Sequence, residues 1–153
     1  MAKKIKSYTY VFYAYISLML LSILGYILLF NDRFKRADYW KSLDYLREEQ
    51  LEQIQRLGNW NIALEMTFII LFLLMAGFCL IKSKKNKNIL KRFLIVSTVL
   101  LTGIIGLIYI LAFTLSLPTM MLLVPLFIPV VVLIGLIIYY FIVNLVLLKL
   151  RRN

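Results

Sequence analysis

The chain has 153 residues, of which 63% are hydrophobic and 16% are charged, and its mean hydropathy is +0.89. This composition excludes an ordinary water-soluble domain and indicates a single membrane domain over residues 1–153. The formal net charge of +11 arises from 18 Lys and Arg against 7 Asp and Glu. No segment is long enough to fold into a basic, water-facing domain, so we expect no nucleic-acid partner.

Four apolar stretches follow one another along the chain, each close to the roughly 20 residues that cross the hydrocarbon of a bilayer. They cover residues 8–30, 60–81, 93–113 and 124–148. The first follows Lys3, Lys4 and Lys6 but lacks a small-residue cleavage pattern, so we interpret it as a retained span rather than a secretory signal. The sequence predicts an all-α integral membrane protein built as a four-transmembrane-helix bundle.

Positive charge is concentrated at the amino end, in the loop 82–92 and in the carboxyl-terminal tail. These segments contain no acidic residue, and their basic residues are Lys3, Lys4, Lys6, Lys82, Lys84, Lys85, Lys87, Lys91, Arg92, Lys149, Arg151 and Arg152. The loop 31–59 is instead balanced between basic and acidic residues. The positive-inside rule therefore predicts a multi-pass protein of the cell membrane with both termini cytoplasmic, and anionic lipid headgroups as partners of the inner face.

The loop between the first two spans has helical periodicity. Apolar residues share one face of residues 38–57 at 100° per residue, namely Tyr39, Trp40, Leu43, Leu46, Leu51, Ile54 and Leu57. The pattern predicts an extracytoplasmic amphipathic helix over these residues. Such a helix either rests on the outer leaflet and caps the bundle, or offers Trp40 and the polar intrusions Arg47 and Gln50 to a partner.

Glu65 is the one ionisable residue within the four apolar stretches, and its charge is costly in hydrocarbon unless it is paired or hydrated. Arg47 interrupts the apolar stripe of the outer helix. If that stripe packs on the outer ends of the spans, Arg47 reaches Glu65, and we predict this pair as a candidate site. The alternative is a Glu65 hydrated by headgroup water.

Three prolines, Pro118, Pro125 and Pro129, lie between the third and fourth spans. Each removes a backbone donor, so the segment 115–128 is not expected to form one straight helix. We favour an interfacial segment after Pro118, with Pro125 or Pro129 in the first turn of the fourth helix. The alternative is a fourth helix that begins near Thr119 and is kinked.

The inventory of reactive side chains is small. The chain has no histidine and one cysteine, Cys79, and its spans hold no paired base, clustered carboxylates or phosphate-binding glycine motif. We therefore predict no catalytic residue, no cofactor, no metal site and no enzyme activity.

A non-enzymatic function remains. We predict a small bacterial membrane protein that acts through a protein or peptide partner, or as a homo-oligomer, in the manner of an accessory subunit, regulator or immunity-type protein. The alternatives are an oligomeric carrier or channel around Glu65, Thr98, Thr102 and the proline-containing segment, and a lipid-handling protein whose basic inner side holds anionic headgroups.

Overall fold

The computed structural model describes residues 2–41, 47–83, 87–114 and 119–150. Apart from Arg47, these residues form four helices, α1 (Ala2–Lys41), α2 (Glu48–Ser83), α3 (Lys87–Thr114) and α4 (Thr119–Leu150). Each helix contains a segment long and apolar enough to cross a membrane. The predictions of an all-α fold and of four candidate spans in a multi-pass membrane protein are confirmed.

The first two helices are longer than a bilayer is thick. α1 has 40 residues and α2 has 36, so they extend over about 60 and 54 Å, against ~30 Å of hydrocarbon. Residues 38–41 end α1 and residues 48–57 begin α2, while residues 42–46 lie outside the described part of the chain. The prediction of one separate amphipathic helix over 38–57 is therefore wrong in its boundaries. Extending an existing helix adds one hydrogen bond per residue without a new nucleation step.

The beginning of α2 is set by a reciprocal cap. The backbone N–H of Arg47 donates to Oε1 of Gln50 at 2.9 Å, and the carbonyl of Arg47 accepts from the N–H of Gln50 at 3.0 Å. This is the geometry in which a Gln at the third helical position reaches back to the capping residue. Glu48 and Glu49 occupy the first turn, where the helix dipole favours negative charge.

The chain divides into two compact units, residues 1–71 and residues 72–153. In the first unit, α1 lies antiparallel to the first part of α2. A methyl group placed on Gly25 would lie 3.3 Å from Cδ1 of Leu64, and Nη1 of Arg36 lies 3.3 Å from Oε1 of Gln53. Rising residue numbers on α1 therefore face falling numbers on α2, and the missing side chain of Gly25 allows the close approach.

The second unit contains the rest of α2 together with α3 and α4. The ring of Phe93 on α3 lies 5.9 Å from that of Phe72 on α2 and 5.8 Å from that of Tyr139 on α4. The hydroxyl of Tyr139 also donates to the carbonyl of Ala76 at 3.2 Å. Cys79, 0% exposed, belongs to the same core. Aromatic contacts and one hydrogen bond thus connect the three helices of this unit.

The fourth helix begins at Thr119, so Pro125 and Pro129 lie inside it. The favoured interpretation, with one of them in the first turn, is wrong, and the alternative start near Thr119 is confirmed. Pro118 lies outside the described residues. Both internal prolines are buried and are spaced by one helical turn, which places the missing backbone donors on a packed face, where a transmembrane helix tolerates them.

The orientation of the chain rests on the positive-inside rule alone. Cytoplasmic termini, a cytoplasmic basic loop 82–92 and an extracytoplasmic segment between α1 and α2 stay predictions. The same holds for the assignment of residues 1–153 to a single membrane domain.

Candidate functional site

Polar side chains follow one another along the contact between α1 and α2 in the first unit. We call this set the polar track, and it consists of Tyr26, Arg33 and Arg36 on α1 with Gln53, Asn61 and Glu65 on α2. From Gln53 to Glu65 the track extends about 18 Å along α2 at 1.5 Å per residue. Glu65 is thus the inner end of a series of polar groups rather than an isolated charge.

The outer end of the track, nearest the junction of α1 and α2, is a small exposed network. Nε of Arg36 donates to Oδ2 of Asp32 at 3.0 Å, one turn earlier on α1, and Nη1 of Arg36 donates to Oε1 of Gln53. The side chains of Asp32 and Arg36 are each 46% exposed. Water screens such a pair, so its contribution to stability is small, and its main effect is to hold the Arg36 guanidinium across to α2.

Arg33 lies against a gap in the surface of α2. A methyl group added to Gly58 would lie 3.5 Å from Cζ of Arg33 and 3.6 Å from both of its terminal nitrogens. The absence of a side chain at position 58 therefore makes room for the guanidinium. Arg33 is half-buried and forms no ion pair with any carboxylate of the described residues, so its hydrogen-bonding groups are not used up within the track.

Asn61 follows Gly58 after about one turn of α2. Its side chain is 4% exposed, and Oδ1 has no hydrogen-bond partner among the described residues. An amide oxygen buried without a donor raises the free energy of the folded protein by about 1 to 3 kcal/mol. A group that brings a donor to this oxygen would recover that free energy.

The inner end of the track is the contact between Tyr26 and Glu65. The hydroxyl of Tyr26 lies near the carboxylate of Glu65, and the guanidinium of Arg33 lies near the same hydroxyl. Tyr26 is 1% exposed, and its ring is stacked on Phe30 with centroids 6.1 Å apart. The buried phenol thus lies beside the carboxylate, while Glu65 itself is only half-buried.

Beyond Glu65 the polar character ends. On the same faces of the two helices, Met19, Ile23 and Phe68 are at most 2% exposed. Ser22 lies among them, but its hydroxyl donates to the carbonyl of Leu18 within α1. In the described part of the first unit, the polar track therefore ends at Glu65, where apolar side chains follow. A track that ends within the unit suits the binding of a partner better than the passage of a solute or ion through the unit.

The structure separates the residues that the sequence suggested as one site. Arg47 directly precedes the first residue of α2, and Glu65 lies about 26 Å further along the axis of that helix. The predicted pair of Arg47 and Glu65 is therefore wrong. Gln50 caps α2, and Trp40 is buried in the last turn of α1 with 7% of its surface exposed. Of these four candidates, Glu65 belongs to the polar track.

Five of the six members of the track were missed from the sequence, namely Tyr26, Arg33, Arg36, Gln53 and Asn61. Asn61 and Glu65 are spaced by four residues and share a face of α2, which was a usable signal. Arg33 lies just after the predicted end of the first span, and the assumption that a loop begins there concealed its position on a continuing helix. Tyr26 carried no signal, because an aromatic residue inside an apolar span is ordinary.

In the four described ranges, no three His, Cys, Asp or Glu side chains come together in a way that could hold a metal ion. No protein-family model matches the chain, and neither the curated proteins nor the solved structures contain a match.

Proposed function

We propose that the protein is a non-enzymatic interaction protein of a bacterial membrane, an accessory subunit, regulator or immunity-type protein that binds a partner polypeptide at the polar track. The observation that carries the proposal is the uncompensated polarity of the track. Arg33 and Glu65 have opposite charges and lie near the same Tyr26 hydroxyl without forming an ion pair with each other, and no donor among the described residues reaches Oδ1 of Asn61.

In a membrane such groups are costly unless another polar group meets them. A partner polypeptide that brings a polar side chain or free backbone groups to the track can bond Arg33 and Glu65, both of which are half-buried and thus reachable. Hydrogen bonds to charged groups contribute roughly 1.5 to 3 kcal/mol each, which is enough to make binding selective for a partner with complementary groups.

The apolar surroundings of the track also suit a protein partner. Next to Asn61 and Glu65, Trp60, Ile62 and Met66 are 60%, 54% and 54% exposed. Tryptophan and methionine are enriched in protein interfaces because they provide large apolar contact areas. A partner helix lying along this side of α2 would bury these side chains while its polar group enters the track.

The test is quantitative co-purification of the full-length chain from its native membrane in a mild detergent. We expect a stoichiometric partner with the wild type, and a loss of about tenfold or more with Glu65→Gln or Arg33→Gln, since each removes one charged hydrogen-bonding group. The matched controls are Glu49→Gln and Lys35→Gln, which make the same changes of charge at exposed positions outside the track. Both controls should retain the partner.

The proposal would be contradicted by equal recovery of the partner with all four variants, or by the absence of any stoichiometric partner. Helix content and elution volume of each variant establish that it is folded. Solute flux into reconstituted vesicles that depends on Glu65, with assembly unchanged, would instead support the carrier or channel alternative.

A further inference from the structure

A groove lies between α3 and α4 within the second unit. It is open along one side and has a volume of about 860 Å³, within the size range of small-molecule sites. Its walls are formed by Leu94, Thr98 and Thr102 on α3 and by Leu133, Leu136 and Tyr140 on α4. The groove belongs to a different unit from the polar track and is not explained by binding at that track.

The groove is apolar along its length and positively charged at one end. The hydroxyl of Thr102 donates to the carbonyl of Thr98 at 2.8 Å, so this donor is satisfied within α3 and the wall presents mainly methyl groups. Lys91 is the one charged residue among the described residues that line the groove. An occupant that combines a long apolar part with an anionic group at its end is complementary to this groove.

The depth of the groove fits one leaflet of a bilayer. Lys91 and Thr102 are eleven residues apart on α3, which corresponds to about 16 Å, and half of a hydrocarbon core is about 15 Å. Lys91 lies three residues after the start of the candidate span Asn88–Leu111. At this position a lysine reaches the headgroup layer while its stem stays in apolar surroundings.

The charge of the second half of the chain favours the same occupant. Residues 72–153 contain nine Lys and Arg and no Asp or Glu, so all seven acidic residues lie in residues 1–71. An anionic headgroup at Lys91 therefore meets no negative side chain from this unit. We propose that the groove binds one acyl chain of an anionic phospholipid, with the ammonium group of Lys91 on the lipid phosphate.

The experiment compares phosphatidylglycerol with phosphatidylcholine, using native mass spectrometry of the full-length protein released from mixed micelles. We expect the wild type to retain phosphatidylglycerol preferentially. Lys91→Gln should reduce this preference about fivefold, which corresponds to one basic side chain at an anionic surface, and Lys91→Arg should restore it. The control Arg92→Gln removes a neighbouring charge that does not line the groove and should retain most of the preference.

A second pair of variants tests the apolar part. Val99 lines the groove and is 67% exposed, so Val99→Trp should fill the cavity and lower the retention of both lipids. Ile110 is 66% exposed on the same helix but does not line the groove, and Ile110→Trp should leave retention unchanged. The proposal is overturned if Lys91→Gln and Arg92→Gln have equal effects. It is also overturned if Val99→Trp converts a dimer to a monomer without changing the lipid count, since a second copy would then occupy the groove.

Discussion

The hydrogen bond between Tyr139 and Ala76 allows a quantitative prediction. Tyr139→Phe removes the hydroxyl that donates from α4 to the backbone of α2, and keeps the ring that meets Phe93 edge to face. Tyr139→Leu removes both the hydroxyl and the ring. The two substitutions therefore separate the polar from the aromatic contribution to the packing of the second unit.

The structure sets the size of each effect. The bond is 3.2 Å long, whereas a good O–H···O bond is about 2.5 to 3.0 Å. The carbonyl of Ala76 also accepts the helical N–H of Leu80. When the Tyr139 hydroxyl is removed, this carbonyl therefore keeps one hydrogen-bond donor. We expect Tyr139→Phe to lower the free energy of unfolding by about 0.5 kcal/mol, and Tyr139→Leu by roughly 1 kcal/mol more, because the aromatic pair is lost as well.

The measurement is reversible unfolding in mixed micelles, followed by circular dichroism as the denaturing detergent is increased. Tyr140→Phe is the matched control, because Tyr140 is the next residue on α4 and is 48% exposed. We expect it to change the free energy of unfolding by less than Tyr139→Phe does. The pair of tyrosines thus compares the same chemical change at a bonded and a lipid-exposed position.

Two results would refute this reasoning. The first is a decrease of more than about 2 kcal/mol in the free energy of unfolding with Tyr139→Phe. The hydroxyl would then bond a buried polar group that has no other hydrogen-bond partner, unlike the carbonyl of Ala76. Equal effects of Tyr139→Phe and Tyr139→Leu would mean that the contact with Phe93, at 5.8 Å and 83°, makes no measurable contribution.

Three further substitutions test the local structure. Gln50→Ala should speed hydrogen exchange in the first turn of α2, because losing the cap lowers the stability of this helix end by roughly 1 kcal/mol. Gln55→Ala, at an exposed position of the same helix, should leave the exchange rate unchanged. Gly25→Val should destabilise the first unit because its side chain would meet Leu64, while Gly103→Ala, with open space around it, should raise the midpoint of unfolding through higher helix propensity. Asp32→Asn should change stability by no more than about 0.5 kcal/mol, and the change should diminish at high salt, since the pair with its i,i+4 arginine is exposed.

The four helices could be predicted because each span is a continuous apolar run, and hydropathy is a strong signal when the run is long. The ends of α1 and α2 could not. The charged residues after position 30 look like a loop, yet the helix continues because each added residue contributes a hydrogen bond and Asp32 and Arg36 pair one turn apart. The end of an apolar run predicts where a helix leaves the hydrocarbon of the bilayer, but the helix itself can continue beyond that residue.

Of the candidate site, only Glu65 could be predicted from the sequence. Glu65 stood out because a charge in an apolar run has few explanations. Its partners depend on the register between two helices, which brings Tyr26 to Glu65 and Arg33 to Gly58. The prolines gave a clear signal that led to a wrong prediction. Proline usually breaks a soluble helix, whereas burial within α4 allows the helix to continue through Pro125 and Pro129.

The burial of Cys79 has a practical consequence. It is the single thiol of the chain and is fully covered within the second unit. A maleimide can therefore label the wild-type protein only when this unit opens locally, and the ratio of the labelling rate to that of a free thiol reports the population of the open state. Each tenfold reduction in this ratio corresponds to about 1.4 kcal/mol of opening free energy. The protein thus carries its own probe for the loosening that Tyr139→Phe should cause, with no engineered label.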